Sequence, residues 1–131
     1  MIVAIPAGLI HTWWSQMVDG LKELLDKGTV PYTTDEIQAG LYNGSWLLFA
    51  AVEDDEPVCW WIGRIHAHVL ELGLCWGSGM DKWLDYSLAT FEQLARDAGC
   101  NKISIGGRPG WVKLGKSRGF NVKSITIVKE L

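Results

Sequence analysis

The chain has 131 residues, of which 48% are apolar and 21% charged, and its formal net charge is -3. That length is one domain's worth, spanning 1–131, able to bury roughly two thirds of the surface its unfolded form exposes, and the composition excludes disorder, collagen-like repeats and low-complexity linkers. No apolar run approaches the roughly 18 residues of a membrane span, and the opening Met1-Ile2-Val3-Ala4-Ile5-Pro6 lacks the basic start of a signal peptide, so a cytoplasmic location and no membrane partner are expected.

Met1 to Ile5 reads as a first strand closed by Pro6. From Thr12 the period changes: Trp14, Met17, Val18, Leu21, Leu24 and Leu25 recur at helical steps, with Gly28 just beyond the last of them. Thr33-Thr34-Asp35-Glu36 has the form of a capping box, and Ile37 and Leu41 give the helix it opens an apolar face as far as Asn43-Gly44. Trp46 to Val52 and Val58 to Ile65 are rich in strand formers and are predicted to form a hairpin across a five-residue connection, Glu53 to Pro57. Val69 to Trp76 is the next strand. Gly77-Ser78-Gly79 breaks it, and Ser78 is placed to cap a long helix with a stripe of Leu84, Leu88, Phe91, Ala95 and Ala98, stopped by Gly99. Cys100 to Ile105 is a strand, Gly106 to Gly110 a tight turn, and Trp111, Leu114 and Arg118 share a short helix ended by Gly119. Phe120 to Leu131 is predicted to close the chain as a strand with Val122, Ile125, Ile127 and Leu131 as its apolar residues. The expected fold class is therefore α/β, in the order β-α-α-β-β-β-α-β-α-β, with helices on both faces of one sheet.

Charge is unevenly spread: residues 1–98 sum to -9 and residues 99–131 to +6. A basic segment of that kind attracts phosphate, but the neighbouring acidic part offsets its long-range field. Its basic residues are not interleaved with exposed aromatics as single-strand binders require, so nucleic acid is not an expected partner. Cys59, Cys75 and Cys100 are an odd number without CxxC spacing and read as reduced core thiols. His66 and His68, even with Cys59 or Glu71, make an incomplete ligand set, and no metal is expected.

Leu70-Glu71-Leu72-Gly73-Leu74-Cys75-Trp76 running into a glycine-bearing loop and a long helix, followed by a strand, a short helix and Arg118-Gly119-Phe120, resembles the GNAT acyltransferase fold over nearly the whole chain. Ala95-Arg96-Asp97-Ala98-Gly99-Cys100, Gly107-Arg108-Pro109-Gly110-Trp111 and Lys129-Glu130-Leu131 look, more narrowly, like small GNAT-like proteins of tailed bacteriophages. The resemblance implies acetyl-CoA as cofactor, with Cys75, Gly77, Ser78, Gly79 and Met80 as its diphosphate loop and backbone N–H groups as the anion ligands. That loop is degenerate here: it is short, has no Arg or Gln, and sets Asp81 near the diphosphate. The resemblance also makes Glu71 the candidate general base, for which apolar surroundings would raise the pKa. The position where relatives carry a proton-donating tyrosine is Gly115.

Eight tryptophans, including the adjacent pairs Trp13-Trp14 and Trp60-Trp61, are more than one core readily absorbs. Neighbours on a helix are about 100° apart and on a strand face opposite sides. Trp13, Trp60, Trp61 and Trp111 are thus expected on a protein-binding or self-association surface, and Arg108, in a turn of glycines and proline, is a candidate anion clamp. Two functions follow. One is a non-catalytic, phage-type binding or virion-associated module with no cofactor; the alternative is an acetyl-CoA-dependent N-acetyltransferase acting on an amine of a protein or small molecule.

Overall fold

The computed structural model describes residues 1–27, 30–107 and 110–131. Five strands and four α-helices follow one another along them: β1 (Ile2–Ile5), α1 (Ile10–Asp26), α2 (Thr34–Tyr42), β2 (Leu47–Glu53), β3 (Glu56–His66), β4 (Val69–Gly77), α3 (Met80–Asp97), β5 (Lys102–Ile105) and α4 (Gly110–Lys116), with a 3-10 turn at Ala7–Leu9 before α1. The strands lie in sequence order in one sheet. β1 to β4 are antiparallel neighbours, and β5 joins β4 in parallel after the α3 crossover, as the strand-helix-strand pattern requires. The architecture is an α/β sandwich with a mixed, mostly antiparallel sheet and helices on both faces.

Two hydrophobic layers flank the sheet. Met17, Leu21 and Leu24 of α1 and Ile37 and Leu41 of α2 cover one face, meeting Leu48, Ala50, Trp60, Ile62 and Leu74. Leu84, Leu88, Phe91 and Ala95 of α3 cover the other, against Phe49, Trp61, Leu70 and Leu72, and Trp111 of α4 and Phe120 pack at its margin. The adjacent Trp60 and Trp61 enter opposite layers because successive strand residues point to opposite faces.

Local chemistry fixes the element ends. Thr33 and Glu36 form the predicted capping box on α2. At the end of α3, Cys100 N–H donates to Ala95 O and Gly99 N–H to Arg96 O, with Gly99 at φ 79°, which is the Schellman arrangement. Gly28, the predicted stop of α1, lies outside the described residues.

Three expectations are corrected. The β2–β3 connection is a two-residue turn, Asp54-Asp55, both at positive φ, because Glu53 and Glu56 already pair across the strands. The cap of α3 is Gly79 in the left-handed region with no side-chain hydrogen bond, so Ser78 does not cap it. Residues 120–131 form no strand: they are irregular, and Ile125, Ile127 and Val128 stand in solvent. Strand propensity needs a neighbouring strand to act on, and this segment has none alongside it. No helix among the described residues is long and apolar enough to cross a membrane.

Candidate functional site

The sheet divides at Gly73. Ile62 pairs with Leu74 and Gly63 with Leu72, so Gly73 is an extra residue on β4, a β-bulge. Gly63 permits it: a Cβ there would stand 2.5 Å from the Glu71 carbonyl oxygen, closer than two strands can otherwise approach. A Cβ on Gly73 would meet nothing within 4 Å, so the bulge opens onto free space. β5 accompanies β4 only from Val69 to Leu72, with Gly106 N–H donating to Leu72 O as the last contact. Beyond it, among the described residues, no strand pairs with the β5-facing edge of Gly73–Gly77. The result is a wedge between β4 and β5 that leads to the start of α3.

The loop at the end of that wedge is tightly built. Gly77 has φ 132°, and a Cβ there would lie 2.4 Å from Val58 O. Ser78 N–H donates to Val58 O, and the Cys59 thiol beneath it donates to Ser78 O. Burial pushes the Cys59 thiol pKa up, which keeps it protonated and a donor. Cys75 Sγ lies 3.8 Å from Met80 Sδ, and both pack on the α3 layer. The predicted loop residues thus span the end of β4 and the start of α3, and the Ser78 N–H is committed to the protein rather than turned to a ligand. The first turn of α3 remains uncapped by any side chain and carries Asp81, exposed.

On the face of β4 opposite Leu70 and Leu72 stands Glu71, across from Arg64 on β3. Arg64 Nε donates to Glu71 Oε2 at 2.6 Å, leaving Oε1, and the carboxylate raises the guanidinium pKa through that hydrogen bond and its charge. Glu71 is thus an ion-paired side chain at the rim of a cavity, where apolar surroundings were expected. The cavity has a volume of about 170 Å³ and is lined by Val30, Tyr32, Trp46, Ile62, Gly63, Arg64, Glu71, Gly73 and Leu74. Tyr32 and Trp46 meet edge to face across 4.9 Å. The sequence reading missed Tyr32, Trp46, Arg64 and Gly73; glycines inside two adjacent strands were the available sign of the bulge.

Other candidates fall elsewhere. Trp60 and Trp61 are 5% and 0% exposed and lie inside the two layers rather than on a surface, while Trp13 and Trp111 are half-buried against those layers. The reason is the second layer: a sheet covered on both faces absorbs adjacent tryptophans that one core would exclude. Arg108 lies outside the described residues. Among the described residues no group of three His, Cys, Asp or Glu could hold a metal ion. Gly115 is buried, and a Cβ there would lie 3.1 Å from Phe120 Cβ, so the ring of Phe120 fills the space a tyrosine at this position would need.

No family model and no curated protein sequence matches the chain. Its fold is that of several solved acetyltransferases. A ribosomal-protein-alanine N-acetyltransferase from Brucella melitensis biovar Abortus 2308 superposes with a TM-score of 0.71 at 10% identity, over 100% of this chain and 99% of that one. The aminoglycoside acetyltransferase meta-AAC0020 from an uncultured soil metagenomic sample, in complex with sisomicin, gives 0.70 at 9% identity over 100% and 95%. The aminoglycoside N-acetyltransferase AAC(6')-Iy, in complex with CoA, gives 0.68 at 14% identity over 100% and 93%. With the split of the sheet at Gly73 and the order of its elements, these likenesses give the chain the GNAT acyltransferase fold.

Proposed function

We propose that the chain is an acetyl-CoA-dependent N-acyltransferase. The observation that carries this reading is the wedge at Gly73, where a bulge parts β4 from β5, leading on one side to an uncapped helix start and on the other into the cavity beside Glu71. Support also comes from like-folded acetyltransferases, one of them solved with CoA. The residues present fit such a cofactor in part. The bulged backbone at Gly73, where β5 has ended, suits an extended, amide-bearing arm, and the first N–H groups of α3 suit phosphate. Asp81 opposes phosphate and Ser78 N–H is withdrawn. Bound acetyl-CoA would supply an acyl group as a thioester.

The acceptor amine enters the cavity of Tyr32 and Trp46, and Glu71 Oε1 receives its proton as the carbon–nitrogen bond forms. Arg64 holds the carboxylate in place from the other oxygen. With Gly115 packed on Phe120, this position would offer no side-chain proton donor to a departing thiolate. The acceptor is an amine of a protein or a small molecule.

One observation favours the other reading, a non-catalytic binding module of phage type in cytoplasm or virion: the degenerate loop, with Ser78 N–H bonded to Val58 O and Asp81 in the first turn of α3. Calorimetric titration with acetyl-CoA and CoA separates the two. The enzyme reading expects saturable micromolar binding that tightens several-fold in Asp81→Asn, since removing a like charge near the phosphates is worth on the order of 1 kcal/mol in water. Absence of binding by both proteins at millimolar ligand would leave the module.

A further inference from the structure

We infer that the amine taken up by the cavity beside Glu71 is the α-amino group of a free aliphatic amino acid, whose carboxylate is held by the two terminal nitrogens of Arg64. The inference rests on the acyltransferase reading and names the acceptor class of that same site.

The first observation is the charge pair on the cavity rim. Arg64 meets Glu71 through Nε alone, and among the described residues its Nη1 and Nη2 make no hydrogen bond. The two side chains are 50% and 33% exposed, so both are open to a solute entering the cavity they line. One free carboxylate oxygen, Glu71 Oε1, thus stands beside the free fork of a guanidinium. An amino acid joins its ammonium and its carboxylate through a single carbon. Laid across this pair, it sets the ammonium on Glu71 Oε1 and the carboxylate on the Arg64 fork, each a charge-assisted contact.

The second observation is the apolar remainder of the cavity. Val30, Tyr32, Trp46, Ile62 and Leu74 complete its lining, and its 170 Å³ equals about six water molecules at ~30 Å³ each. That is room for a side chain of the size of valine or leucine. The aromatic wall is set before anything enters. A Cβ on Gly40, inside α2, would lie 3.0 Å from the Trp46 ring, and Trp46 N–H donates to Gly40 O at 3.1 Å. Glycine inside a helix is destabilising, and here it admits the ring that Tyr32 then meets edge to face.

The same features disfavour other amines. Glu71 is the one carboxylate among the described lining residues and Arg64 balances its charge, so the further cationic groups of a polyamine find no partner there. A peptide N-terminus carries an amide carbonyl where a free amino acid has its carboxylate, and offers the Arg64 fork a weaker, neutral acceptor. On acylation the bound ammonium gives up two protons as its nitrogen bonds to the acyl carbon and the carbon–sulfur bond breaks. One leaves to solvent through Glu71 Oε1 and the other ends on the thiol released, so the products are an N-acyl amino acid and free CoA.

Calorimetric titration of the full chain with L-leucine, L-leucinamide and 3-methylbutylamine, each with and without saturating CoA, tests this, with acetyl transfer to the three compounds followed in parallel. Leucine should bind about tenfold or more tighter than either of the others. Arg64→Gln, checked for folding by its thermal transition, should bring leucine and leucinamide within about twofold of each other. The three-compound comparison on the unaltered chain decides the matter independently of that variant. Leucinamide or 3-methylbutylamine bound and acetylated as well as leucine would keep the enzyme and overturn this acceptor, as would a failure of leucine to bind in either condition. Leucine bound with the expected discrimination by a chain that takes up no CoA would uphold the amino acid site and remove the acyltransferase reading.

Discussion

At the scale of single residues, the site turns on which atoms are already spoken for. Glu71 Oε2 is held by Arg64, so Oε1 alone can take a proton, and Glu71→Gln keeps the shape while removing that capacity. We expect kcat to fall by about 10² or more with KM little changed, measured with an amine acceptor and acetyl-CoA. An equal loss in both parameters, or none, would remove Glu71 from the chemistry. The pair was within reach of the sequence: a two-residue turn at Ala67-His68 sets His66 opposite Val69 and hence Arg64 opposite Glu71. It was missed because both turn residues take positive φ, at 49° and 64°, without the Asn or Gly that usually announces such a turn. Ser87 tells a different story. It is fully buried in α3, whose inner side faces the second layer, and its hydroxyl has no hydrogen-bond partner among the described residues. An orphaned buried hydroxyl costs free energy that an alanine avoids, so Ser87→Ala should raise the unfolding free energy by about 1 kcal/mol, read from the urea midpoint.

At the scale of elements, the helices were legible because their signals are local. The Thr33-x-x-Glu36 box, the Leu84, Leu88, Phe91 and Ala95 stripe of α3 and Gly99 each act within a turn or two of chain and stand where the sequence puts them, whereas Ala98, expected in the stripe, follows the helix and is exposed. Thr33→Ala removes the hydroxyl that accepts from Glu36 N–H and donates to Glu36 Oε1, leaving the backbone N–H of residue 33 to hold that carboxylate, and should lower stability by about 1 kcal/mol in denaturant unfolding. Strand ends and registers depend instead on partners far along the chain. The bulge at Gly73 is defined by β3, and the wedge by where β5 stops, so neither could be read from β4 alone. The break between β4 and α3 falls at Ser78 and Gly79, one residue later than the sequence suggests, and the bond from Ser78 N–H to Val58 O joins residues twenty apart and had no local sign. Residues 120–131 carry every mark of a strand except an adjacent one.

For the whole molecule, the central question is whether a sheet with a separate hydrophobic layer on each face behaves as one unit. Trp60 and Trp61 bind the layers together through consecutive backbone positions, since neither ring can leave its layer without displacing the other's strand. Phe91 is the hub of the second layer: its ring meets Trp61 at 5.2 Å and Phe49 at 5.1 Å, both edge to face. Arg118, bonded to Asp85 at 2.6 Å, fastens the chain after α4 to α3 on the same side. The opposite layer holds Trp13, Trp14, Trp46 and Trp76, none of which touches this hub. Replacing Phe91 with alanine should cost about 3–5 kcal/mol, a large part of the 5–15 kcal/mol typical of a domain this size. If the shared sheet couples the layers, that loss reaches both. Urea unfolding of Phe91→Ala followed by far-ultraviolet dichroism and by tryptophan fluorescence should then give one shifted transition, with coincident midpoints for the two probes. Separated midpoints, with most of the tryptophan signal persisting after the α3 layer has melted, would mean that the α1 and α2 face is stable alone and that the sheet does not transmit the loss.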